Sequence, residues 1–358
     1  MRKVLAVILC LVFVLLTGCS ENLLDSSEPA EQEKTLNEKV ELLRQFPKGA
    51  FAKTVTVPYR TVKSVDISGN LLYLSVYDRY EAIGTDMLVS YDINTCDERV
   101  LFELPYNSNY DDCFIQGVQT DGEWLVWEVC SIMSGHFNSI YVMNLESREI
   151  SIAKEMSDLN SSLPAYCNGK VLWSETDSEE STVFVYDCLR EETEKICAVD
   201  SIINSLTADS NKAVWYADGE YTVYDFSGGK TKKIKTDAQS VKSLALKGNE
   251  IFSACDNRIV ITDIESKQTE KIEQIADDLF VTDDYIVGKY SQVTNFYYRN
   301  KLTENENLLR YYVEALGTDG NRLVTVTENE GKYANNDGTL IDQLWVHIYD
   351  FNKLTEVE

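Results

Sequence analysis

Apolar residues open the chain in one block and then recur in short runs to its end. Val4 to Leu16 are thirteen consecutive apolar residues behind Met1-Arg2-Lys3. A charged start followed by such a stretch is the pattern of a signal peptide, and it falls short of the roughly 20 residues a membrane-spanning helix needs. Residues 20 to about 50 are polar and acidic, with Leu36, Val40 and Leu43 at helical spacing before Pro47. They read as a solvated spacer or a short docking helix. From Val55 onward no helical period persists, and short β-branched and aromatic runs alternate with turn residues. That is the pattern of an all-β repeat array.

The repeat can be indexed twice. Its first marker is the pair that ends an apolar run: Tyr91-Asp92, Met143-Asn144, Tyr186-Asp187, Tyr224-Asp225, Thr262-Asp263, Arg299-Asn300 and Tyr349-Asp350, spaced by 52, 43, 38, 38, 37 and 50 residues. Its second is a tight-turn dipeptide upstream of each: Gly69-Asn70, Asp121-Gly122, Asn168-Gly169, Ser210-Asn211, Gly248-Asn249, Asp283-Asp284 and Asp319-Gly320. Each turn is followed by two strands, so a unit holds four strands in about 43 residues, which predicts an all-β, seven-bladed β-propeller. Arg299-Asn300 fits the marker least well, and six blades is the alternative. Thr54-Val55-Thr56-Val57 is the candidate closing strand, lying beside a short outer strand at Leu354 to Glu358. Such a strand would cover an edge that otherwise pairs with another chain.

Composition narrows the function classes. The 33 Lys+Arg stand against 59 Asp+Glu, a net charge of −26, and this argues against nucleic-acid binding. With 44% hydrophobic and 26% charged residues the chain is that of an ordinary globular protein. Only two His and 21 Tyr suit a β-rich protein poorly supplied for His-based catalysis.

Two resemblances refine this. Leu16-Thr17-Gly18-Cys19 resembles the lipobox of bacterial lipoproteins. The resemblance implies that residues 1–18 are removed, that the Cys19 thiol receives a diacylglyceryl group, and that the protein sits on the extracytoplasmic face of the cell membrane, or in the outer membrane of a host that has one. Its acyl chains would then be the whole membrane attachment. The stretch Thr120-Asp121-Gly122-Glu123-Trp124-Leu125-Val126-Trp127, with Ile140-Tyr141-Val142-Met143-Asn144-Leu145 after it, is similar to the repeat of TolB-like, WD40-like propellers of bacterial envelopes. That implies a propeller over residues 53–358, behind a spacer at 19–52, and a habit of binding proteins without catalytic residues.

In a propeller the loop from a blade's second to third strand shares a face with the crossover to the next blade. Between the two markers the blades hold 22, 22, 18, 14, 14, 16 and 30 residues, so the insertions gather on blades 7, 1, 2 and 3. The longest crossover, Pro105 to Asp112, falls in the same sector. Long loops on a rigid scaffold are where binding residues concentrate, and this sector supplies Tyr80, Tyr106, Tyr110, Asp111, Asp112, His136, Phe137 and Tyr333 as candidate ligand-binding residues. Aromatic rings with nearby carboxylates suit a sugar or a protein partner. The alternative is that these are loop aromatics resting on the rim.

Removing Cys10 and lipidating Cys19 leaves seven Cys. Cys113 and Cys130 flank the Asp121-Gly122 turn symmetrically and form the candidate disulfide pair. Cys96, Cys167, Cys188, Cys197 and Cys255 read as small buried apolar residues. No CxxC, His cluster, GxSxG, HExxH or Walker loop occurs, and Asn335-Asn336-Asp337-Gly338 lacks the Glu an EF-hand needs at Leu344, so no metal, cofactor or catalytic set is expected. The sequence therefore favours a monomeric, non-catalytic binding module for an envelope protein or glycan, touching the membrane only through its lipid anchor. The alternative is a glycan hydrolase or lyase using channel-facing carboxylates and tyrosines.

Overall fold

A computed structural model describes residues 51–353, except 60, 78–85, 106–112, 132–137, 158, 291–294, 303, 305, 311–312, 329–332, 335–339 and 342–343. Cys19 and the spacer lie outside the described residues. Apart from a 3-10 turn at Phe351–Lys353, every described element is a β-strand.

Seven antiparallel sheets follow one another along the chain, and with strands lettered A to D from the centre outward each is a propeller blade. Blade 1 is Val62–Ser68, Leu71–Val76, Met87–Asp92 and Glu98–Glu103. Blade 2 is Cys113–Thr120, Trp124–Ser131, Asn138–Asn144 and Ile150–Ser157. Blade 3 is Ala165–Cys167, Lys170–Asp177, Glu180–Asp187 and Glu192–Val199, with Asn160–Ser161 also pairing on its second strand. Blade 4 is Ser205–Asp209, Lys212–Ala217, Glu220–Asp225 and Lys230–Lys235. Blade 5 is Ser243–Lys247, Glu250–Ala254, Ile259–Asp263 and Thr269–Ile272. Blade 6 is Asp278–Val281, Tyr285–Tyr290, Asn295–Asn300 and Glu306–Arg310. Blade 7 is Ala315–Asp319, Arg322–Glu328, Leu344–Asp350 and, from the other end of the chain, Phe51–Val57. The count is seven, and the sixth unit is complete.

The two sequence markers have a common physical cause. Each Asp or Asn marker ends strand C, and its side-chain oxygen accepts a backbone N–H two residues on: Asn94, Glu146, Leu189, Ser227, Glu265, Leu302 and Asn352 are the donors. These are Asx turns, for which Asp and Asn have the right reach. The N–H after each marker then donates to a carbonyl of the same blade's A–B turn, as Ile93 does to Asn70 and Lys301 to Asp284. Asn300 performs both tasks in blade 6, so its poor match in sequence conceals an identical turn.

Strand B is buried on both faces, as in Leu71–Val76 and Trp124–Ser131, because each blade packs against a neighbour on either side. Between blades 1 and 2, Tyr73, Leu88, Trp127, Val129 and Met143 form one such layer. Trp127 stacks on Tyr141 at 5.6 Å between ring centroids. Between blades 7 and 1, Val324, Val326 and Val346 meet Ile67, Leu72, Leu74 and the closing-strand residues Val55 and Val57.

Closure differs from expectation in one respect. Phe51–Val57 pairs directly with Leu344–Asp350 and itself takes the fourth place in blade 7, whereas Leu354 to Glu358 lie outside the described residues. His347, 1% exposed, is held between Thr54 Oγ1 of the closing strand at 2.7 Å and Thr327 Oγ1 at 3.2 Å. Polar contacts near the A–B turns then join every neighbouring pair of blades. Arg322 donates to the Gly69 carbonyl, Thr120 N–H to Asp66, Tyr166 O–H to Asp121 and Asn168 to the Ser210 carbonyl. Gly248 N–H donates to Asp209, Lys247 pairs with Asp283, and Asp284 N–H donates to Asn321. Gly317 has to be glycine at the seam, since a Cβ there would run into the carbonyl oxygen of Val65.

Val57→Asp places a charge where the wild-type residue is 0% exposed and should lower stability by about 3 kcal/mol or more. Urea unfolding checks this, and an unchanged midpoint would mean that Phe51–Val57 does not close the ring.

Candidate functional site

The A–B and C–D turns share one face of the ring; the B–C connections and the D-to-A crossovers share the other. B–C connections run over 77–86 in blade 1, 132–137 in blade 2 and 329–343 in blade 7, but over only two to four residues in blades 3 to 6. In blade 7 the connection contains a small hairpin, Tyr333–Ala334 with Leu340–Ile341. Blade 3 departs from expectation: its extra residues lengthen strands B and C to eight residues each, joined by a two-residue turn at Ser178-Glu179. The sector of long loops is therefore blades 7, 1 and 2. Of the candidate binding residues, Tyr80, Tyr106, Tyr110, Asp111, Asp112, His136 and Phe137 lie outside the described residues, and Tyr333 is placed by its backbone alone, in the inserted hairpin.

On the loop side of blade 2 a polar row crosses all four strands. Glu128 on strand B accepts from Gln116 Nε2 at 2.7 Å on one oxygen and from Asn138 Nδ2 at 2.5 Å on the other. Lys154 on strand D donates to the Asn138 main-chain oxygen at 2.8 Å, to Asn138 Oδ1 at 2.5 Å and to Ser157 Oγ at 3.1 Å. Three acceptors match the three protons of an ammonium, and two amide donors match a carboxylate. Glu175 of blade 3 lies 3.9 Å from the Lys154 ammonium. Glu128 is 2% and Lys154 4% exposed, so burial pushes the carboxyl up and the ammonium down, while Gln116, Asn138 and the opposite charges counter it. Asn138 is thereby clamped at the point where the 132–137 connection enters strand C.

The seven A strands surround a cavity of about 320 Å³ whose lining includes Asp66, Gln119, Thr120, Tyr166, Thr207 and Thr318. Asp66 is its one carboxylate among the described residues, whereas glycosidases use a pair. Its oxygens accept from Ile67 N–H at 2.9 Å and Thr120 N–H at 2.7 Å. Burial outweighs those donors and raises its pKa to about 8, with Asp319 adding to the rise and Arg322 opposing it.

Cys113 and Cys130 are buried thiols that do not stand opposite each other. The turn after Thr120 spans Asp121 to Trp124, with Thr120 facing Leu125, and a bulge at Gly117-Val118 then takes back one residue. Gly117 carries φ of 62°, which glycine adopts without strain. Cys113 therefore faces Ser131 and Cys130 faces Phe114, which corrects the symmetric count. Cys96 is exposed in the C–D turn of blade 1, contrary to expectation, while Cys197 is half-buried. Among the described residues no group of three or more His, Cys, Asp or Glu is placed to hold a metal ion.

The molecule is a seven-bladed β-propeller. A chain of a mitotic checkpoint complex crystal structure is similar with a TM-score of 0.57 and 12% identity, over 83% of this chain and 94% of that one. PorZ, a bacterial surface component of the type-IX secretion system of Porphyromonas gingivalis, is similar with a TM-score of 0.51 and 12% identity, over 76% of this chain and 36% of PorZ. No family model and no curated protein matches the sequence. At this identity the likeness concerns the fold.

Lys154→Met leaves three acceptors without their donor and removes a positive charge that favours the ionised Glu128, and should cost about 1–3 kcal/mol. Adding Glu128→Gln should recover part of that loss in a double-mutant cycle; strict additivity of the two changes would mean the row is not coupled. Asp66 binds its proton more tightly folded than unfolded, so its contribution to stability declines as pH rises from about 4 through about 8. Asp66→Asn should flatten this part of the unfolding profile between pH 5 and pH 9, and an unaltered slope would assign the pH dependence elsewhere.

Proposed function

We propose that the protein is a lipid-anchored, extracytoplasmic binding module that presents the loop face of blades 7, 1 and 2 to an envelope protein or glycan. The observation that carries this is the clustering of the three longest B–C connections on three neighbouring blades of one face, with the 104–112 crossover between blades 1 and 2 beside them. The other six crossovers hold four to seven residues, the other B–C turns two to four, and polar contacts join the blades beneath, which is the arrangement of variable binding loops on a fixed scaffold. The lipobox-like Leu16-Thr17-Gly18-Cys19 supports the anchor. Phe51–Val57 starts at the turn face and runs toward the loop face, as its register with Tyr349 and Leu344 requires. Phe51 therefore stands on the face away from the long loops.

Two measurements test the two halves of the proposal. Cys19→Ala should abolish incorporation of a fatty-acid label and release the protein from membranes; continued labelling would refute the anchor. The variant with Tyr106, Tyr110, Phe137 and Tyr333 changed to Ala should keep its unfolding midpoint and lose the envelope partner that the parent captures by in-cell crosslinking. Capture of the same partner by both forms would overturn the loop-face assignment.

A further inference from the structure

A groove of about 480 Å³ lies between blades 3 and 4, away from the long loops. One wall is a single face of blade 3, since Lys170 pairs with Asp187, Asp187 with Glu192 and Val185 with Glu194. The facing wall carries Tyr224 and Phe226 of blade 4, half-buried and edge to face at 5.5 Å. Charge within the groove is unevenly spent. Asp187 Oδ2 takes both cations, Lys170 Nζ and Arg190 Nη2, each at 2.9 Å. Burial opposes it, but Lys170, the Arg190 backbone N–H and the Arg190 guanidinium together hold the Asp187 carboxyl down at about 2. Glu192 and Glu194 remain exposed, and among the described residues neither has a cation within ion-pair distance. The Glu194 carboxylate is close enough to Tyr224 to raise its phenol further after burial has done so.

We propose that this groove is a second binding site and that its occupant is a Lys or Arg side chain of a partner protein. The aliphatic stem lies along Val185 and the aromatic wall, and the cationic head meets the ring faces and the Glu192 and Glu194 carboxylates. Aromatic rings beside unneutralised carboxylates are the combination that holds a cation at a surface. The net charge of −26 draws such partners toward the ring from a distance. This site goes beyond the loop-face reading and shares no residue with it.

The test uses the mature chain with fluorescent pentapeptides carrying a central Arg, Lys or Gln in a Gly background, read by anisotropy. The Arg and Lys peptides should bind and the Gln peptide should not. Glu192→Gln with Glu194→Gln should weaken that binding at least tenfold, while the charge-matched control, Glu146→Gln with Glu149→Gln in the blade 2 C–D turn, should not. Equal weakening in both variants would reduce the effect to overall charge, and absence of binding by either cationic peptide would overturn the proposal. Displacement by a neutral oligosaccharide but not by free arginine would overturn it too, by making the groove a glycan site. The loop-face alanine variant should bind these peptides as the parent does, so failure of either site leaves the other standing.

Discussion

A blade that is apolar on both faces is stable only between two others, so the whole architecture depends on the ring closing. In this chain closure is a matter of one strand. Phe51–Val57 crosses from the beginning of the sequence to the edge of the last blade, and its ladder with Leu344–Asp350 converts an open stack into a ring. Val55 and Val57 enter the same layer as the valines of blade 7 and the core of blade 1. Closing the ring covers the edge of Leu344–Asp350, and so removes an exposed strand that invites pairing with another chain.

Closure also separates the two faces by their physics. On the turn face, side-chain and backbone contacts join each blade to the next, and most of their acceptors are aspartates or asparagines. These groups are committed to holding neighbours together. On the opposite face the connections are free to vary in length, and they do so on adjacent blades. The buried row from Gln116 to Lys154 fits this division, because it fixes Asn138 at the base of one long connection by ionic and amide contacts within blade 2. A rigid base beneath variable loops is what makes a binding face reproducible.

The periodic parts of the fold were legible because they rest on local chemistry. Asp92, Asn144 and their counterparts recur since each caps the same Asx turn, and Gly69, Gly169, Gly248 and Gly320 recur since tight A–B turns need positive φ. Register was less legible. The Cys113 and Cys130 count failed on a four-residue turn and a single bulge, neither of which changes the apolar pattern around it. Blade 3 misled in another way, because a count between markers does not tell a longer loop from longer strands. Glu128 carried a faint signal as the lone charge within the apolar run Trp124–Ser131, whereas Lys154 stands beside Glu155, and their link through Asn138 depends on strand neighbours about ten to sixteen residues away. The groove between blades 3 and 4 had no sequence signature, since its two walls meet only when blades stack.

Native-state hydrogen exchange across the ring tests the claim of closure most directly. If Phe51–Val57 is integral to the fold, its amides should exchange with the same free energy as those of the buried strands Trp124–Ser131 and Leu344–Asp350, rising and falling with global stability. Rapid exchange of Phe51–Val57 while those strands stay protected would contradict the account, because the ring would then stand without its closing strand.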